Sequence, residues 1–173
     1  MFRTVAVVSL SALVALGSVS MASASDEKFF RQVSGKWTGP GEIVAGKYKG
    51  TKFVCNFSGE NPDGKVGMSL DGGCRVGMLT QEMSATVQRS GKTYVGSFLD
   101  GAAGQGLDVV GGTVRNNKAV FKILRNKLSG AMSAHMVSQD KMNVTISVQV
   151  EDELVPVIGM TLKKVNPKLA SGE

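Results

Sequence analysis

One histidine, two cysteines, one tryptophan and two tyrosines are all this 173-residue chain holds of those types. Each scarcity excludes something. A Ser-His-Asp or Cys-His catalytic set has only His135 to centre on. The aromatic girdles that a lipid-spanning β-barrel sets at both membrane interfaces need more than one Trp and two Tyr. No apolar run approaches the roughly 20 residues that a helix needs to cross a bilayer. The most apolar stretch, Val5 to Leu16, has 12 residues. Dense basic runs of the kind that form nucleic-acid arms are also missing. Helical periodicity is confined to one short segment near the front.

What is there begins with that apolar stretch. Arg3 precedes it, and Ala22-Ser23-Ala24 follows as a small-residue cleavage site. Together they read as a secretory signal peptide over residues 1–24, so the mature chain is expected to start at Ser25 and to work in the periplasm or outside the cell. No cysteine sits near the cleavage site to carry a lipid anchor. The length left over suits a single domain, here 25–165, followed by a polar tail over 166–173.

The chain carries 20 Lys and Arg against 14 Asp and Glu, a net +6. The basic residues are scattered, among them Lys47, Lys49, Lys52, Arg89, Lys92, Arg115, Lys118, Lys122, Arg125 and Lys127. Such an excess favours acidic surfaces, such as anionic headgroups or an acidic protein, without encoding a nucleic-acid site.

Asp26 to Val33 predicts a short helix or extended lead-in that stops at Ser34-Gly35. Beyond it the pattern is short alternating runs broken by Gly, Asn and Asp, the signature of an all-β chain. Met142 to Val150 is the clearest case, with Met142, Val144, Ile146, Val148 and Val150 on one face. Leu128 to Val137 is its expected partner. Hairpin turns are expected at Ser90-Gly91, Asn116-Asn117 and Ser138-Gln139-Asp140, each followed by a solvent-facing lysine. Earlier strands are expected over Lys36 to Val44, Tyr48 to Ser58 and Val66 to Met78. A last one runs from Leu154 to Lys164, with Pro156 marking an edge or closing position. The sum is an all-β fold: a single antiparallel up-and-down barrel of 8–10 strands, whose closure removes exposed edges.

Cys55 shares a face with Phe53 and Phe57; Cys74 shares one with Val76 and Met78. In an exported chain this even count favours a Cys55–Cys74 disulfide on apolar, core-facing sides. Two free buried thiols, or half of a metal site, are the alternatives.

Gly35-Lys36-Trp37 opens the first strand just after the lead-in. This arrangement resembles the G-x-W signature of calycins, the lipocalin-like barrels. The resemblance implies a Trp that plugs one barrel end, a basic residue of the last strand covering it, and small apolar ligands bound inside. That basic residue would be Lys163 or Lys164, where the family usually has Arg. The family's T-D-Y loop motif has no counterpart, since Thr93-Tyr94 does not supply it. A weaker resemblance is to periplasmic metalloprotease inhibitors, small exported barrels with one disulfide that insert an N-terminal segment into the protease. Ser25 to Phe29 would be that segment here.

Other candidate chemistry reduces to structure. His135 alternates with Ala134 and Met136 and so falls on a polar face. Asp100 to Gly112 is glycine-rich but lacks a P-loop ending and reads as a crossing or mouth loop. Glu151, Asp152 and Glu153 read as a hairpin cap. Met68, Met78, Met83, Met132, Met136, Met142 and Met160 fall in strands, mostly at apolar parities, and can form an adaptable wall. The chain is therefore expected to be a non-enzymatic binding barrel without metal or cofactor. Trp37, Phe53, Phe57, Phe98, Phe121 and Met132 are the candidate interior ligand-binding residues. The expected partner is a small apolar molecule or an envelope component. A protein-interaction role, such as binding an acidic or protease partner, is the alternative.

Overall fold

The computed structural model describes residues 21–99 and 107–165. The front of the expected leader, residues 100–106 of the glycine-rich segment and the expected tail over 166–173 lie outside them.

Helix α1 spans Met21–Val33, beginning before the expected Asp26. Phe29, Phe30 and Val33 are buried on its inner side. It ends where Ser34 turns its amide back to the Phe30 carbonyl and its hydroxyl to that of Arg31. Gly35 then takes a φ of +103°, a conformation that a side chain would strain.

Ten strands follow: β1 (Gly35–Ile43), β2 (Lys52–Glu60), β3 (Gly67–Val76), β4 (Leu79–Ser90), β5 (Thr93–Leu99), β6 (Leu107–Arg115), β7 (Lys118–Arg125), β8 (Leu128–Met136), β9 (Lys141–Val150) and β10 (Glu153–Lys164). Each pairs antiparallel with the next, and β10 returns to pair with β1, from Trp37↔Lys164 to Ile43↔Ile158. The result is a closed up-and-down barrel with no free edge. Pro156 sits beyond the β1–β10 ladder, beside a bulge in the β9–β10 pairing, so it costs β1 no hydrogen bond.

Five of the connections have only two residues, and in each the first takes a positive φ: Gly77, Gly91, Asn116, Asn126 and Glu151. Tight hairpins demand that geometry, which Gly and Asn meet at little cost. Glu151 meets it without that advantage.

Closure also needs staves that bend inward. A Cβ built at Gly96 in β5 would overlap the Thr86 carbonyl oxygen of β4. Only a glycine lets the two backbones approach so closely there.

Three sequence expectations need correction. β3 stops at Val76, and Gly77-Met78 form a turn, so Met78 is fully exposed and Val76, at the strand end, is exposed as well; neither joins Cys74 in the core. A glycine at positive φ ended the alternation one residue before the last apolar side chain. Tyr48 lies in the β1–β2 turn, exposed, because β2 begins only at Lys52. Finally, residues 107–112 of the expected glycine-rich loop are the start of β6, with Val109 buried.

Candidate functional site

Strand alternation gives the barrel one inward row per strand, and the two ends treat that row differently. One end gathers the β2–β3, β4–β5, β6–β7 and β8–β9 turns, and α1 closes it by packing against β3 and β6. Trp37, Val87, Tyr94, Val114, Met136, Met142 and Leu162 are all buried beneath the helix. Aromatic rings continue from helix to lumen: Phe29 on Phe30, Phe30 on Tyr94, and Tyr94 on Phe121, each 5.6 Å between centroids.

Polar groups pin this plug at two points. The Trp37 indole donates to the Val33 carbonyl at 2.8 Å, while Lys164 lays its ammonium 5.4 Å from the centroid of the same ring. Lys164 also donates to the Gln32 carbonyl at 3.0 Å, which satisfies an end group of the helix. Of the two lysines named from the sequence as the Trp cover, Lys164 holds the position. At the second point, the buried Asp26 carboxylate accepts the Tyr94 hydroxyl at 2.6 Å and faces Arg89 Nη1 at 3.4 Å. Burial first, then the hydrogen bond and charge of Asp26, hold the Tyr94 phenol well above its ordinary range.

Midway along the lumen, Cys55 and Cys74 face each other across the β2–β3 ladder and are joined by a disulfide. Each sulfur is also flanked by a thioether: Met160 Sδ lies 3.8 Å from Cys55 and Met83 Sδ 3.8 Å from Cys74. Four soft sulfur atoms thus cross the wall of the lumen in a row.

The opposite end gathers the β1–β2, β3–β4, β5–β6, β7–β8 and β9–β10 connections. Here Ile43, Met83, Phe98, Leu107, Met132, Ile146 and Ile158 belong to inward rows yet are only partly buried. Strand geometry keeps their side chains off the outer wall, so solvent reaches them through the mouth. Among the described residues, one end of the barrel is thus sealed by aromatics, and the inward rows at the other end are aliphatic and thioether side chains that are only partly buried.

All six interior candidates from the sequence face the lumen, at different depths. Trp37 belongs to the plug and Phe57 and Phe121 are buried low; Phe53 is buried near the mouth. Only Phe98 and Met132 sit partly open in the upper wall. Asp26, Arg89 and Met83 were not singled out from the sequence as site residues. The one available signal was Tyr94, whose inward parity obliges its hydroxyl to find a partner.

His135 points outward on β8, exposed, with Nε2 3.1 Å from the Asn117 amide nitrogen. Among the described residues, no cluster of three His, Cys, Asp or Glu is placed to hold a metal, and no helix is long and apolar enough to cross a membrane. Of the segment considered for insertion into a protease, Asp26 and Phe29 are buried in α1, while Glu27 and Lys28 are exposed.

No family model matches the chain, and no curated protein matches it by sequence. Solved structures match by fold. Rv2717c from M. tuberculosis superposes with a TM-score of 0.60 at 10% identity, over 82% of this chain and 98% of its own. A protein of unknown function from the DUF3598 family of Nostoc punctiforme gives a TM-score of 0.50 at 13% identity, over 78% of this chain and 48% of its own. At such identities the likeness concerns the antiparallel barrel fold alone.

Proposed function

We propose that this protein is a non-enzymatic, exported binding barrel that takes a small apolar or amphipathic molecule, or a component of the envelope, through its open end. The observation that carries the reading is the half-exposed apolar wall at the mouth, above a lumen sealed by α1. Exposed aliphatic surface inside a concave site is costly in water and is relieved by an apolar guest. Methionine thioethers at Met83, Met132 and Met160 suit guests of varied shape. Covering of Trp37 by Lys164 supports a calycin-like reading of the plug, and the disulfide is compatible with an oxidising compartment. The outward, exposed position of His135 favours a role in binding over general acid–base chemistry.

Titration with a fluorescent fatty acid tests this. Saturable binding of one probe per barrel is expected, with Met132→Trp and Met83→Trp each reducing it by filling the upper lumen. A wild-type protein that leaves the probe free at every concentration overturns the reading. Export is tested separately: the N-terminus of protein recovered from the periplasm is expected at Ser25.

A further inference from the structure

Exposed large apolar side chains are unevenly placed on this barrel. Among the described residues, Met78 is 99% exposed, Leu79 78%, Leu128 65% and Tyr48 64%, and all four lie at or beside turns of the open end. Val76, Leu99, Val150 and Leu154 add further apolar surface at that end, whereas the closed end contributes Val137 and Val165. Side chains standing free at turn tips gain nothing from the fold, so their collection around one opening calls for a partner.

The chemistry of that partner is written in the arc formed by two neighbouring turns. β2 and β3 lie side by side between the β1–β2 turn and the β3–β4 turn, which sets Tyr48 and Met78-Leu79 on the same part of the rim. Lys47 and Lys49 flank Tyr48, with the Lys47 ammonium 5.5 Å from its ring centroid; Lys52 is the first residue of β2 and Arg75 the last but one of β3. The two turns themselves, residues 44–51 and 77–78, contain no acid. A tyrosine between lysines beside unsupported Met and Leu tips is the composition of a membrane interface: the apolar tips enter the acyl boundary, the ring lies at headgroup level, and the ammoniums reach anionic phosphates. The acidic β9–β10 turn of Glu151 and Asp152, followed by Glu153 at the start of β10, lies across β1 from this arc and tilts the contact towards the basic side.

We propose that the arc formed by the β1–β2 and β3–β4 turns docks the open end of the barrel on an anionic lipid bilayer. The docked mouth then faces the acyl region directly. This inference stands whether or not the lumen holds a guest.

Flotation with vesicles tests it, using phosphatidylcholine alone and phosphatidylcholine mixed with phosphatidylglycerol. Binding to the anionic vesicles is expected, weakening as salt rises and absent from the neutral ones. Met78→Asp with Leu79→Ser is expected to lower the affinity roughly tenfold or more, as is Lys47→Glu with Lys49→Glu. Because these residues are exposed, unchanged circular dichroism and an intact disulfide mass will show that each variant folds. Fatty-acid uptake by the same variants should stay near wild type, which separates this proposal from the lumen reading. No association with anionic vesicles, or equal binding by the Met78→Asp/Leu79→Ser protein, overturns it. So does a concentration-dependent dimer that those substitutions abolish, since the arc would then bind a second copy.

Discussion

Tyr94 donates its hydroxyl to the carboxylate of Asp26 across 2.6 Å, and by that bond β5 holds the front of α1 over the end of the barrel. The pair is 68 residues apart in sequence and lies at the foot of the aromatic path that runs through Phe30 and Phe121. The acceptor is charged and buried, and Arg89 at 3.4 Å is its second support.

Tyr94→Phe removes the hydroxyl and leaves Asp26 with Arg89. A loss of about 2 kcal/mol is expected in urea unfolding, the range for a hydrogen bond to a charged group. The pH dependence follows from the raised phenol. The folded protein keeps the Tyr94 proton at pH values where the unfolded chain gives it up, so this contribution is whole below about pH 10 and lost above it. Wild type should therefore lose more stability than Tyr94→Phe between neutral pH and pH values above the ordinary tyrosine range. Parallel alkaline limbs would contradict it.

The Cys55–Cys74 bond closes a loop with a sequence separation of 19. Reduction, or Cys55→Ser with Cys74→Ser, is expected to cost about 3 kcal/mol by releasing the unfolded chain. Comparing urea midpoints with and without reductant measures it. The barrel should survive, because both cysteines also sit in complete strand ladders.

Trp37 is the sole tryptophan, so its fluorescence reports on the plug alone. Lys164→Ala removes both the cation over the ring and the donor to Gln32. About 1 kcal/mol of stability should be lost, with a red shift of the emission as water reaches the indole. Lys164→Arg should restore most of both.

Gly96 and Gly159 form a matched test of closure. Alanine at Gly96 forces the β4 and β5 backbones apart and is expected to cost at least about 2 kcal/mol. Alanine at Gly159 meets nothing within 4 Å and should be neutral or slightly stabilising, by limiting the unfolded chain. Thermal unfolding of the two variants, side by side, reads the difference.

Period-two alternation in Met142–Val150, and Asn and Gly at the hairpin turns, were enough to read nearly the whole meander from the chain. Both signals are local: side-chain parity and turn φ are settled within a few residues. The misreadings arose at the mouth. Met78 alternates with Cys74 and so reads as a core residue because apolar character normally marks burial, and at a rim it does not; Tyr48 reads as the first residue of a strand yet lies in the turn before it. Among the six interior candidates, parity along the strands carried no information about depth, so residues of the plug and of the upper wall were grouped together.

The amino-acid order by itself pointed to an antiparallel meander of 8–10 strands with one inward face each, favoured a Cys55–Cys74 bond over free thiols, and set Gly35-Lys36-Trp37 at the start of the first strand. The strand count of ten, the register of β10 on β1, the seal of α1 over one end, the Asp26–Tyr94 contact, the choice of Lys164 over Lys163 above Trp37 and the apolar crown at the other end were decided only by tertiary structure. Alternation is a property of neighbours along the chain, whereas a lumen with one shut end exists only once β10 has returned to β1.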